Sequence, residues 1–114
     1  MVSNIPNRAY NTFLKAASFL SNAEVMFEMN KLSDVKSFSS KAVIEAARAI
    51  SIKFSNNERE PREGILQSLT SLPTYARLDA LRLLEILKFI EHAGAKEALE
   101  IAREAIEIAS ALLI

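Results

Sequence analysis

The chain has 114 residues, half of them apolar and a quarter charged, the size and composition of one globular domain. Fourteen acidic residues balance fourteen basic ones, so no net field draws it toward nucleic acid or an anionic membrane. Cysteine is absent and His92 is the one histidine, which excludes disulfides, thiolate metal sites, a cysteine nucleophile and clustered imidazole ligands within one chain.

Two glycines and three prolines leave few breaks, so long helices are expected. Asn4 reads as the cap of a first helix, with Pro6 in its opening turn. Ala9, Phe13, Ala16, Leu20, Ala23 and Phe27 then alternate small and large apolar residues at steps of four and three, and the period persists to about Met29. Residues 30–34 read as a tight turn, with Ser33 or Asp34 capping the next helix.

The second helix, residues 34–54, places Val35, Ser39, Ala42, Ala46 and Ala49 on an inner stripe flanked by Phe38, Val43 and Ile50. Lys36, Lys41, Arg48 and Ser51 fall on the solvent side, and Lys41 is spaced to pair with Glu45. Residues 55–60 are polar and aperiodic, the one clear loop. Pro61 opens a short helix with an apolar edge of Ile65, Leu66, Leu69 and Leu72, weakened by Gly64.

The fourth helix, residues 74–93, turns Ala76, Ala80, Leu83, Leu87 and Ile90 inward, with Ile86 beside them. Leu78, Leu81 and Phe89 fall on the opposite side among Arg82, Glu85 and His92. Gly94 is the expected left-handed stop of this helix. A last helix over residues 95–112 repeats the small–large alternation in Ala95, Leu99, Ala102, Ile106, Ala109 and Leu113. The expected architecture is all-α: one domain over residues 1–114, an up-and-down bundle of four long helices plus one short helix. Its first and last helices touch.

The chemistry is sparse. A di-metal carboxylate bundle needs Glu-x-x-His pairs, and no glutamate here has histidine three residues on. Phosphate-binding loops need clustered glycines after strands, which two isolated glycines do not supply. No cofactor and no catalytic residue are expected. His92 reads as a helix C-terminal residue favoured by the macrodipole.

Arg59, Arg62 and Arg77, with Tyr75 to stack on a base, are the candidates for an RNA-contacting or RNA-cleaving alternative. Glu58, Glu60, Glu63, Asp79 and Glu85 are interspersed among them, as on a mixed solvated surface. The second apolar face of the fourth helix is the stronger feature. Leu78, Leu81, Arg82, Glu85 and Phe89 are the candidate interface of a homodimer, or of contact with a protein partner. No apolar run approaches the roughly 20 residues that span a bilayer, and residues 1–8 lack the build of a signal peptide, so the cytoplasm is the expected compartment.

The run FLSNAEVMFEMNKLSDVKSFSSKAVIEAARAI, residues 19–50, resembles the long antiparallel hairpin of HEPN-type domains. Those domains also carry a polar loop, a short third helix and later long helices. Their catalytic members cleave RNA with an arginine followed by a histidine after four to six residues. Neither Arg77 nor Arg82 lies at that distance from His92, so the resemblance implies the non-catalytic branch. Members of that branch dimerise and often partner a nucleotidyltransferase.

Overall fold

The computed structural model describes the backbone from Asn4 to Ile114 and the side chains from Arg8 onward. It contains α1 (Asn4–Glu28), α2 (Leu32–Ser55), α3 (Pro61–Ser68), α4 (Thr74–Phe89) and α5 (Ala95–Leu113), with a 3-10 turn (Ile90–His92) between the last two. The described residues form no strand, and the expected all-α bundle of four long helices and one short one is what they build.

The hub is α2, on which α1, α3, α4 and α5 all pack. Its sequence explains why. Val35, Ser39, Ala42, Ala46 and Ala49 are fully buried, and so are Val43, Ala47 and Ile50 on either side. Small side chains bring the neighbouring backbones close, and the larger ones fill the space between them. The neighbours supply the same kind of surface: Ala9, Ala16 and Ala23 from α1, and Ala98, Ala102, Ala105 and Ala109 from α5, are all buried.

The first and last helices do touch. Ala23, Val35 and Leu99 form one buried cluster, and Glu24 of α1 pairs with Arg103 of α5 at 3.1 Å. The alternation is not uniform, however. Ala9, Ala16, Ala23, Ala102 and Ala109 are buried with Leu99, whereas Ala95 is half-buried, Phe13, Leu20, Ile106 and Leu113 pack at the edges of the core and Phe27 is exposed.

The helix ends follow a different chemistry from the expected one. Asn30 and Asn56 adopt left-handed φ of 57° and 55°. After α1, the Asn30 amide donates to Phe27 and the Lys31 amide to Met26, which satisfies two terminal carbonyls in a Schellman closure. After α2, the Asn56 amide donates to Ile52. Gly94 has φ −70° and is the N-cap of α5, not a left-handed stop. The fourth helix ends earlier than expected, at Phe89, by tightening into the 3-10 turn. Ser33 and Asp34 do not cap α2, which starts one residue before them with Lys31 at its N-cap. Asn4 is itself helical, and its side chain lies outside the described residues.

Two further expectations are corrected along α2. Lys41 does not pair with Glu45: its ammonium lies over the rings of Phe19 and Phe38, 5.8 Å and 5.6 Å from their centroids. Glu45 is buried and holds Arg48 on its own helix and Lys15 of α1, the latter at 3.5 Å. A carboxylate at this depth is tolerated because two cations reach it. Ser51 is buried, not solvent-facing, because α3 covers it. A β-carbon at Gly64 would stand 1.6 Å from Ser51 Oγ and 2.7 Å from Ser51 Cβ. Gly64 therefore serves the close approach of α3 to α2, whatever it costs in helix propensity.

Candidate interaction surface

The outer face of α4 leaves a group of large apolar side chains without cover along one side of the helix. Ala76, Ala80, Leu83 and Ile86 anchor the helix in the core, and Ile90 continues that line into the 3-10 turn. On the other side Tyr75, Leu78, Leu81 and Phe89 are 76%, 67%, 49% and 52% exposed. One 16-residue helix thus presents two apolar faces, and only one of them is buried. Leu87, expected fully inward, is half-buried at the boundary.

Charge on the exposed face is held in place. Arg82 donates from Nε and Nη2 to the two carboxylate oxygens of Glu104 on α5, at 2.6 Å and 2.8 Å, and from Nη1 to Glu85 at 2.5 Å. These two carboxylates raise the Arg82 pKa above its ordinary value, led by the hydrogen bonds that Glu104 accepts. The Arg82 guanidinium in turn holds the Glu104 carboxyl below the usual carboxylate range. The fork-to-fork pair ties α4 to α5 and fixes the direction in which Arg82 points. Glu85 lay within reach by its spacing on the helix. Glu104 is twenty-two residues away, and no local pattern announces it.

Because the Glu104 pKa is depressed in the fold, its contribution to stability is full above the unfolded carboxylate range of about 4.3 and fades as the pH falls through the folded value. Both partners are well solvated, so the effect is small, under about 1 kcal/mol. Glu104→Gln is expected to lower the thermal midpoint slightly at neutral pH, and the gap to wild type is expected to close in acid. A gap that widens on acidification would contradict the assignment.

Three shallow grooves surround this helix. One of about 300 Å³ is lined by Arg82, Phe89, His92, Glu97 and Ile101, where α4 and the 3-10 turn meet the start of α5. A second, of about 200 Å³, lies at the opposite end of α4, where Tyr75 borders Ala111 and Leu112 of α5. The third, of about 270 Å³, runs between α2 and the 3-10 turn past Ile44, Pro61 and Leu87, with Arg62, Glu60 and Glu91 as its charged residues.

The arginines considered for RNA are distributed differently. Arg77 donates to the Leu69 carbonyl at 2.8 Å and ties the start of α4 to the segment after α3. Arg59 and Arg62 are exposed and stand in no ion pair among the described residues. The nearby loop is anchored by Arg8 on Glu58 and by Arg48 on the Glu58 carbonyl. No group of three or more metal-ligating side chains converges among the described residues. None of the described helices is long and apolar enough to cross a membrane.

No protein-family model, curated protein or solved structure matches the chain.

Proposed function

We propose that the chain is a non-catalytic association module of the cytoplasm that works through the outer face of α4, as a homodimer or as the accessory subunit of a two-component system. The observation that supports this is the run of exposed Leu78, Leu81 and Phe89 around the fixed Arg82–Glu85 pair. An apolar surface rimmed by ordered charge has the composition of an interface, with desolvated anchors at the centre and polar groups at the edge. The hairpin likeness to non-catalytic HEPN-type domains points the same way, with a nucleotidyltransferase as the partner class it implies.

The test is the oligomeric mass in solution. Leu81→Asp or Phe89→Asp is expected to give a folded monomer, with unchanged helicity and a dimer dissociation constant raised at least about tenfold. A dimer that survives both substitutions in light scattering, or a wild-type chain that stays monomeric at high concentration, would sink the proposal.

A further inference from the structure

The face carries an order that selects its partner. Leu78, Arg82, Glu85 and Phe89 follow one another at steps of four, three and four along one side of α4. Read from either end the order is apolar, charged, oppositely charged, apolar. Two such faces laid antiparallel set Leu78 on Phe89 and Arg82 on Glu85, twice. Laid parallel, they set Arg82 against Arg82 and Glu85 against Glu85, which is repulsive.

Arg82 has donors to spare for this. A guanidinium carries five N–H groups, and Arg82 uses three of them within its own chain.

A second observation is independent of the charges. A twofold axis perpendicular to two antiparallel helices brings like flanks together. Tyr75, the most exposed aromatic side chain of α4, stands on the flank beside α5, where it borders Ala111 and Leu112. The groove of about 300 Å³ lies on the same flank at the other end, where Phe89 and His92 meet Glu97 and Ile101. At 1.5 Å per residue, Tyr75 stands roughly 13 Å to one side of the midpoint between Arg82 and Glu85, and the Phe89–His92 end of the groove, whose near end Arg82 lines, roughly 8–13 Å to the other. A projecting ring and a recess thus occupy positions that the same axis exchanges.

We infer that the occupant of this face is a second copy of the chain. The two copies lie antiparallel along α4 about an axis between Arg82 and Glu85, and Tyr75 of each enters the Phe89–His92 groove of the other. The inference rests on the α4 face being an interaction surface, and it adds the partner and its orientation.

The chain has no cysteine, so single introduced thiols report without background. Leu78→Cys and Phe89→Cys are prepared separately, then oxidised mildly alone and as a mixture, with Ser21→Cys on the exposed side of α1 as the collision control. The antiparallel pair predicts that the mixture yields the 78–89 disulfide well above the control. Each variant alone links no better than the control, because two copies of position 78 lie roughly 16 Å apart along the axis, beyond the reach of about 7 Å between bridged Cα atoms. Tyr75→Ala is expected to weaken the dimer several-fold and Tyr75→Phe to restore most of it.

Efficient self-linking of Leu78→Cys overturns the antiparallel arrangement, and so does a mixture that links at the control rate. If Leu81→Asp still disperses the dimer in that case, the surface stands and only its orientation falls. A dimer indifferent to Leu81→Asp removes the surface itself.

Discussion

Truncating Ile50 to alanine is expected to destabilise the fold by about 2–5 kcal/mol, a large part of the roughly 5–15 kcal/mol that holds a domain of this size. Ile50 is fully buried on α2, the helix that every other helix packs against. The cavity would be slow to collapse, because many of the side chains around it are alanines with nothing to extend into the gap. Urea unfolding measures the loss, and a change under about 1 kcal/mol would contradict the central role given to α2. Amide exchange should quicken in α1 and α5 together, since both rest on the same helix. Leu81→Asp makes the contrast: it should leave the unfolding of the monomer almost unchanged, because Leu81 is exposed.

Gly64→Ala is a test of sign. Helix propensity alone favours alanine over glycine by up to about 1 kcal/mol. The packing opposes it, because the new β-carbon would lie 2.7 Å from Ser51 Cβ, a side-chain atom that no rotation about χ1 can move away. Overpacking of that kind costs about 1–3 kcal/mol, so the variant is expected to be less stable than wild type. Removing the obstacle should reverse the outcome. In a Ser51→Gly background, Gly64→Ala should become neutral or stabilising, and a double-mutant cycle reads the coupling directly. A stabilised single variant would mean that α3 can lift from α2 at little cost.

These two positions show what the sequence can express. The inner stripe of α2 was legible because buried neighbours on a helix recur at a fixed period, and Val35, Ser39, Ala42, Ala46 and Ala49 all lie inside. The two faces of α4 were legible for the same reason. Contacts between distant segments leave no such trace. Nothing near Gly64 announces that Ser51, thirteen residues earlier, faces it, and nothing near Arg82 announces Glu104. Helix ends were misread because asparagine takes the left-handed position twice in a chain where glycine was the expected stop. Glu45 was misread because its cations come from two helices. At the candidate surface, the exposed leucines and phenylalanine were legible from periodicity, whereas the recess beside His92 exists only once α5 has folded back along α4.

The clamp on Arg82 has a consequence for recognition. A long side chain that binds a partner ordinarily surrenders rotamer freedom at that moment, at a cost of roughly 0.5–1.5 kcal/mol. Arg82 is already confined by Glu104 and Glu85, so its ordering occurs when the chain folds. An incoming surface meets a cation at a set position, surrounded by leucine and aromatic side chains with few rotatable bonds. Entropy then opposes the encounter less than the count of charged groups on this face would suggest. Selectivity falls on shape and sign, because a mismatched partner that turns Arg82 aside also gives up its bonds to Glu104 and Glu85.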